Sequence, residues 1–232
     1  MTLLTELAAG VLTLRLNRPE RLNAIDEATA QAMLDALEEA GRSAVVRVVV
    51  LRGNGRAFCA GRDIGAAPTP QILDLVQAVA RAIVALPQPV LAAVHGWVVG
   101  AGLEWMLDAD LVVAARSARF KLPEIELGVF VTGGITATLP AYAGLARAKG
   151  LLLLGEEFSA DDAQRWGLIG SVVDDDRFDA EVVRIAARLA GFAPAVLGRF
   201  KRVLNGLNLQ RFESALAIEA QMQTEIAAAA RK

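Results

Sequence analysis

The sequence is poor in the residue types that disulfides, metal sites and nucleic-acid surfaces require. Its 232 residues include one cysteine, Cys59, and one histidine, His95, and 24 basic side chains stand against 26 acidic ones. A single cysteine excludes an internal disulfide, and together with one histidine it cannot complete a zinc site built from the usual ligands. A formal net charge of −2 provides no basic footprint for nucleic acid. We therefore expect neither a metal centre nor a nucleic-acid partner.

Charge is also missing from one long internal segment. Residues 82–103 contain no Asp, Glu, Lys or Arg over 22 positions, which is long enough to cross a bilayer. Two prolines within this segment remove backbone donors, however, and three glycines interrupt the remainder. The N-terminus has no Lys or Arg before Arg15, so it lacks the basic region of a signal peptide. The sequence predicts a soluble, cytoplasmic protein with no membrane partner.

Short apolar runs alternate with helical patterns in the first half, and helical patterns dominate the second. Strands are predicted at 11–16, 45–51, 90–94, 110–115 and 168–173. Helices are predicted at 26–41 with Gly41 as the C-cap, 69–86, from 100 onward, 133–142, 145–154, 159–166, 178–191, 194–204 and 208–230. Strands separated by helices favour parallel pairing through right-handed crossovers. We predict one α/β domain over residues 1–190, followed by a C-terminal helical extension over 191–232.

Two glycine-rich turns follow predicted strands. One covers Phe58–Ile64, and the other runs from His95 to Glu104 and opens a helix. Small residues at the start of a helix leave backbone N–H groups exposed, and these groups and the helix dipole favour negative charge. The alternative is tight packing of the helix against the sheet. A dinucleotide-binding fingerprint is not supported, because the Gly-x-Gly spacing lacks a third glycine.

Two glutamates lie among large apolar residues. Glu104 is followed by Trp-Met-Leu, and Glu124 lies between Pro123 and Ile125. Because ionising a carboxyl in apolar surroundings is costly, the pKa of each should rise toward the range of a general acid or base. The alternative for each is an ion pair with an arginine or a position in solvent. A Ser-His-Asp hydrolase is disfavoured, because no Gly-x-Ser-x-Gly turn accompanies His95.

Five segments in order resemble the enoyl-CoA hydratase/isomerase (crotonase) family. They are residues 18–24, 58–64, 89–104, 120–128 and 168–173, so the resemblance covers nearly the whole chain. It implies a crotonase-like spiral of ββα turns and a substrate that is a thioester of coenzyme A. It also implies no separate cofactor, and assembly into trimers that often pair as hexamers.

Matched position by position, the resemblance implies an oxyanion hole formed by the backbone N–H groups of Arg62 and Ala101. The two glutamates of the family's hydratases fall on Glu104 and Glu124, with Glu104 taking a proton from water and Glu124 delivering one to Cα. The region that contacts CoA in the family falls on Arg21, Ala24, Ala60, Arg62, Asp63 and Ile64. The expected enzyme is a lyase that reversibly hydrates a 2-enoyl-CoA. The alternatives are a double-bond isomerase that uses one glutamate, Glu124, and a CoA-thioester-binding homologue with little catalysis.

The chain departs from the family's pattern at several positions. Ala101 stands where glycine is usual, so its methyl group could crowd the acyl group, and Arg62 replaces a small residue. Residues 129–134 replace the usual proline-glycine turn, the segment between Ile64 and Pro89 is shorter than is common, and a stretch that helps to cover the CoA adenine falls beyond Lys232. These departures leave the acyl group undefined.

The last predicted helix carries an apolar stripe, formed by Phe212, Leu216, Met222 and Ile226. An exposed stripe of this kind would favour aggregation. We therefore expect a trimer or a dimer of trimers, with residues after about Pro194 supplying much of the contact. The alternative is that this segment folds back on its own domain.

Overall fold

A computed structural model describes residues 1–65 and 69–229. The strands are β1 (Leu3–Ala8), β2 (Val11–Leu16), β3 (Val48–Gly53), β4 (Ala57–Cys59), β5 (Val90–Val94), β6 (Trp97–Val99), β7 (Leu111–Ala115), β8 (Arg119–Lys121), β9 (Phe158–Ser159) and β10 (Ser171–Val173). The α-helices are α1 (Glu27–Arg42), α2 (Pro70–Ala85), α3 (Ala101–Asp108), α4 (Glu124–Leu127), α5 (Ile135–Leu154), α6 (Ala160–Arg165), α7 (Phe178–Ala190), α8 (Pro194–Asn208) and α9 (Phe212–Ala229). Short 3-10 helices cover Pro19–Arg21 and Asp175–Arg177.

The strands form two sheets that the chain visits in turn. One sheet has the order β1-β2-β3-β5-β7-β10, and the other has the order β4-β6-β8-β9. Three successive units each place one strand in the first sheet and the next strand in the second, and then add a helix: β3-β4-α2, β5-β6-α3 and β7-β8-α4. Equivalent strands of these units pair in parallel. This is a spiral of ββα turns, as the resemblance implies.

Both faces of the first sheet are covered, which explains the continuous apolar strands. The larger hydrophobic core lies between the two sheets and helices α1, α2, α3 and α5, and a smaller one lies under α7. The uncharged segment 82–103 runs through the end of α2, β5, β6 and the start of α3. Within the described residues, no helix combines the length and the hydropathy needed to cross a membrane.

Several predicted helix starts are confirmed by their caps. The side chains of Asp26 and Thr69 each accept a hydrogen bond from the backbone N–H three residues later. Ser159 and Asp162 form a reciprocal capping box at the start of α6. The predicted C-cap at Gly41 is wrong, because α1 continues to Arg42 and the cap residue has an extended backbone.

Other boundaries differ because tertiary packing overrides the local pattern. The two helices predicted over 133–154 form one element, α5, interrupted at Gly144, whose φ of 76° and ψ of 158° are not helical. The strand predicted from residue 168 begins only at Ser171, because Leu168 still belongs to the turn that closes α6 and donates its backbone N–H to the Ala163 carbonyl at 2.9 Å. The predicted helix end at Ala230 lies outside the described residues.

The C-terminal helix α9 folds back on its own domain. Phe212 and Leu216 are buried in the larger core, and Met222 and Ile226 are half-buried. The side-chain amide of Gln77, on α2, donates a hydrogen bond of 2.7 Å to the Leu216 carbonyl. Phe212 and Leu216 are therefore not available to a neighbouring subunit, contrary to the expectation for this stripe.

Candidate active site

A cleft of about 910 Å³ opens where the glycine-rich loops meet. All six residues expected to contact CoA line it: Arg21, Ala24, Ala60, Arg62, Asp63 and Ile64. Ala101 and Glu124 line it as well. The far wall is mainly apolar and includes Val99, Leu127, Val129 and Phe130. A cleft with one charged rim and one apolar wall suits a ligand that has a polar end and an apolar end.

Glycines bring the two loops into contact. Gly61 has a φ of 85°, and a Cβ at this position would lie 2.9 Å from the carbonyl oxygen of Val99 and 3.6 Å from the amide nitrogen of Ala101. The chain must therefore lack a side chain where residues 60–62 pass the start of α3. As a result, the backbone amides of Arg62 and Ala101 lie on adjacent loops at the cleft wall.

Neither of these two amides is used by the fold. In the described part of the chain, neither the Arg62 N–H nor the Ala101 N–H donates to another protein group, although the N–H groups of Gly100 and Asp63 beside them do. Ala101 is the first residue of α3, where an N–H has no partner within the helix. The Ala101 N–H at the helix N-terminus and the Arg62 N–H on the adjacent loop can together stabilise a developing negative charge on an oxygen atom.

Glu124 begins the short helix α4, and its carboxyl group lies against the start of α3. A Cβ on Gly100 would lie 2.7 Å from Glu124 Oε1, so this glycine leaves room for the carboxyl. The other oxygen, Oε2, is buried and has no hydrogen-bond partner among the described residues. Burial raises the pKa of Glu124 to about 7, and the positive charge of Arg62 opposes this shift.

Glu104 lies on α3 behind the cleft wall and is 1% exposed. Its Oε1 accepts a hydrogen bond of 3.0 Å from the backbone N–H of Thr132, which itself lines the cleft. Burial, and then the nearby Glu124 and Glu219, raise the pKa of Glu104 well above its usual value, while the Thr132 N–H and Arg62 oppose the shift. Within the described residues, neither Glu104 nor Glu124 forms an ion pair with arginine; Glu104 is buried, and Glu124 is half-buried at the cleft.

The rim of the cleft is held by charged side chains. Asp63 pairs with Arg18 at 3.0 Å and with Arg21 at 3.1 Å, and it also accepts a hydrogen bond from the Gly65 N–H. That backbone bond and the two arginines hold the pKa of Asp63 below its usual value. Ile64 projects outward and is 77% exposed. Arg62 is half-buried and, among the described residues, has no ion-pair partner.

The remaining candidates have structural roles. The ring nitrogen Nε2 of His95 lies 2.8 Å from the Gly55 carbonyl, so the histidine holds a turn. Cys59 is fully buried against Gly102, and burial raises the pKa of its thiol to about 12, which makes it a packing residue and not a nucleophile. Trp105 is buried in the core and donates to the Val76 carbonyl.

Two residues at the site were not found from the sequence. Thr132 holds Glu104 through its backbone, which no side-chain pattern reveals. Glu219 is completely buried on α9, and its carboxylate accepts hydrogen bonds from Gly134 and Thr136. An acid in the apolar run Ala-Leu-Ala-Ile-Glu-Ala was the available signal for Glu219.

Comparison with known proteins places this geometry in a family. A sequence model described as "Enoyl-CoA hydratase/isomerase" matches residues 6–232. The 1,2-epoxyphenylacetyl-CoA isomerase of Escherichia coli K12 is 37% identical over 231 residues, covering 95% of this chain and 88% of the relative. The 2,3-dehydroadipyl-CoA hydratase of the same organism is 34% identical over 223 residues, covering 94% and 87%.

A solved structure agrees with this assignment. The enoyl-CoA hydratase from Mycobacterium avium subsp. paratuberculosis K-10 matches with a TM-score of 0.94 at 33% identity, covering 98% of this chain and 90% of that one. The ββα spiral, the two unused backbone amides at the cleft wall and the matches along the whole chain agree. This chain belongs to the enoyl-CoA hydratase/isomerase family.

Proposed function

We propose that this protein is a cytoplasmic enoyl-CoA hydratase, a lyase that reversibly adds water to a 2-enoyl-CoA. One observation carries the proposal: two carboxyl groups, the buried Glu104 and the half-buried Glu124, lie beside a cleft whose wall holds two backbone donors that are unused within the described residues. A family member that only shifts a double bond needs a single carboxyl. The second carboxyl supports hydration, because adding water requires one proton to be taken and another to be delivered.

In the proposed reaction, the thioester carbonyl oxygen accepts hydrogen bonds from the Arg62 and Ala101 amides. Water attacks Cβ, and the electron pair of the double bond moves toward the carbonyl oxygen as an enolate, which those amides stabilise. One carboxylate removes a proton from the attacking water, and the other carboxyl delivers a proton to Cα. We assign the first role to Glu104 and the second to Glu124. No further cofactor takes part in this proposal.

The rest of the cleft accommodates the two ends of the substrate. The segments around Arg21, Ala24 and residues 60–64 form the rim and bind the CoA portion. The apolar wall formed by Leu127, Val129 and Phe130 receives the acyl chain. Ala101, which is 5% exposed, places its methyl group beside this path. The proposal therefore includes a restriction on acyl groups that are branched close to the carbonyl.

A second candidate is a double-bond isomerase that uses Glu124 alone. Glu124 has one buried oxygen without a hydrogen-bond partner among the residues that the structure describes, so it is free to move a proton between two carbons of an acyl chain. The relative that is 37% identical is named an isomerase, although its name gives an epoxide as the substrate. We place this candidate second, because it leaves the buried Glu104 without a role.

A panel of thioesters tests the proposal. The purified protein is incubated with crotonyl-CoA, longer 2-enoyl-CoAs and 3-enoyl-CoAs in water labelled with oxygen-18, and CoA binding is titrated in parallel. Hydration predicts a 3-hydroxyacyl-CoA that carries the label. An unlabelled 2-enoyl product from a 3-enoyl-CoA would instead favour the isomerase, and binding without turnover of any thioester would show a binding homologue.

Removing the charge of Arg62 is expected to shift the pH profile of kcat/KM toward higher pH. The active form of the two coupled carboxyls carries one proton, so the profile is a bell set by the pKa values of the pair. The Arg62 charge lowers the pKa of both carboxyls. Arg62→Met keeps the backbone donor but raises both values, and the bell should move up by roughly 1 pH unit.

The control for this shift is Arg119→Met. Arg119 is exposed on β8 and pairs with Glu157, away from the cleft. Its substitution should leave the bell in place. A profile of Arg62→Met that coincides with the wild type, or that moves to lower pH, would show that Arg62 does not act electrostatically on the pair.

We also propose that the protein assembles as a trimer or a dimer of trimers, with α8 at the contact. Phe200, Val203, Leu204 and Leu207 lie at helical spacing on one face and are 56–66% exposed. A continuous exposed apolar stripe of this kind favours burial against a second copy of the chain. Because Phe212 and Leu216 are already buried, α8 and not α9 carries this proposal.

Light scattering is expected to give three or six times the chain mass of 24.5 kDa. Phe200→Glu should lower the measured mass, because it places a charge in the contact. Val183→Glu, at an exposed apolar position on α7, is the matched control and should keep the wild-type mass. A wild-type monomer at micromolar concentration would contradict the assembly, and an unaffected mass in Phe200→Glu would contradict the role of α8.

A further inference from the structure

The carboxylate of Glu219 lies at the N-terminus of α5. Its Oε2 accepts a hydrogen bond of 2.7 Å from the Gly134 N–H. Its Oε1 accepts bonds of 2.9 Å from the Thr136 N–H and 2.7 Å from the Thr136 hydroxyl. The side chain comes from α9, more than 80 residues later, and is completely buried. Three bonds from one buried carboxylate make this the main polar contact between α9 and the rest of the domain.

Local sequence provides no other cap for α5. The N-cap residue is Gly134, which has no side chain and has a φ of 83°. A Cβ at this position would overlap the ring of Phe212, which also belongs to α9. The glycine therefore lets α9 approach, and Glu219 then supplies the acceptor that a Ser or Asp N-cap would normally provide.

The segment that Glu219 holds is also the segment that holds Glu104. Thr132, two residues before Gly134, donates its backbone N–H to Glu104 Oε1 at 3.0 Å. A Cβ on Gly133 would lie 2.8 Å from Glu104 Oε2, so the loop passes directly over that carboxyl. Residues 132–136 therefore join two buried carboxyl groups, with Glu104 on one side and Glu219 on the other.

We propose that Glu219 is a positioning residue that fixes the 132–136 loop and, through the Thr132 N–H, the carboxyl of Glu104. This inference rests on the proposed function, in which Glu104 acts on the attacking water. Small displacements of a catalytic group carry a large cost in rate. A carboxylate that is far in sequence and lines no part of the cleft thereby sets the geometry of the reaction.

The charge of Glu219 also reaches the site. It raises the pKa of Glu104, together with burial and Glu124, and the Thr132 N–H and Arg62 act in the opposite direction. Asp108 lies one turn along α3 and is also buried, and burial raises its pKa well above the usual value. Glu219 therefore affects Glu104 in two ways: its charge raises the pKa of that carboxyl, and its hydrogen bonds hold the loop whose Thr132 N–H binds it.

The test compares Glu219→Gln with Glu213→Gln. Glu213 is on the same helix but exposed, and it pairs with Arg81 at the surface. Glutamine at 219 keeps the shape of the side chain but brings a donor toward backbone donors, so the loop should loosen. For Glu219→Gln we expect kcat to fall by about 10–100-fold, with KM for the enoyl-CoA changing by less than about three-fold. Glu213→Gln should match the wild type in both.

Hydrogen exchange distinguishes a residue that positions this loop from one that only stabilises the whole fold. In Glu219→Gln, exchange of the Thr132 amide should accelerate by about ten-fold or more relative to the amide of Val113 in β7. Equal acceleration of both amides, or a kcat within two-fold of the wild type, would overturn the positioning role. The exchange measurement needs no substrate. Wild-type protein that turns over no thioester would therefore refute the proposed function, while the Thr132 result would still decide whether Glu219 holds the loop.

Discussion

Replacing Glu124 by glutamine is expected to lower kcat for the hydration of a 2-enoyl-CoA by about 10²–10⁴-fold. Glutamine preserves the size of the side chain and its contact with Gly100, but it can neither deliver nor accept the proton. KM should change much less, because the proposal puts Glu124 at the reacting centre and assigns CoA binding to the rim around Arg21 and residues 60–64. Steady-state kinetics with crotonyl-CoA and longer enoyl-CoAs measures both constants.

The short helix α4 offers a matched control. Glu126 lies two residues after Glu124, is exposed, and pairs with Lys121 at 2.8 Å. Glu126→Gln removes the same charge from the same helix without touching the cleft, so its kcat should match the wild type. If Glu124→Gln behaved like Glu126→Gln, Glu124 would have no part in the reaction.

The same substitution at Glu104 extends the prediction. Glu104→Gln should lower kcat over the same range, since it removes the other half of the proton exchange. Residues that act as a unit give losses that do not add. The double variant should therefore be only slightly slower than the slower single variant. Near-wild-type turnover by both single variants would refute the two-carboxyl mechanism, whereas a loss confined to Glu124→Gln would favour the isomerase.

Much of the candidate site could be predicted from the sequence, because its parts lie in short glycine-rich segments. The free amide of Ala101 follows from small residues at the start of a helix, and an acid in an apolar run predicts the raised pKa of Glu104. The apolar neighbours of Glu124 marked it in the same way, whereas the role of the Arg62 amide came from the resemblance alone. The apolar run around Glu219 marks it as a buried acid, but its contacts could not be predicted, because its partners are more than 80 residues away and no local pattern links them.

In the fold, too, elements set by nearby residues could be predicted, and elements set by distant contacts could not. Helices with side-chain caps, such as α1, α2 and α6, follow from their sequences. The strands β4, β6 and β8 have three residues each, which is too short to show a periodicity, and β4 and β6 also overlap the glycine-rich turns. They form because each pairs with the equivalent strand of the neighbouring unit of the spiral. Part of the α9 stripe is likewise buried because α9 packs against α2 and α5, which are distant in the sequence.

Replacing Lys201 by methionine is expected to lower the free energy of unfolding by about 3 kcal/mol. Lys201 is buried on α8, and its ammonium group lies 2.7 Å from Asp110 Oδ2 and donates to the Ile83 carbonyl at 2.9 Å. Removing the lysine leaves the Asp110 carboxylate without its counter-charge in a mostly buried position.

Urea denaturation of Lys201→Met, Asp110→Asn and the double variant measures this effect. The control is Arg202→Met, at the exposed neighbouring position. Because each single variant strands a buried partner and the double variant strands neither charge, the double variant should lose less than the sum of the two single losses. A thermal midpoint for Lys201→Met that is lower by roughly 6–12 °C would agree with a loss of this size for a chain of this length. Losses that simply add, or a Lys201→Met variant as stable as Arg202→Met, would show that the pair does not anchor α8. In that case α8 would be held to its domain by its other contacts, such as the hydrogen bond of 3.2 Å from the Asn205 side-chain amide to the Val84 carbonyl.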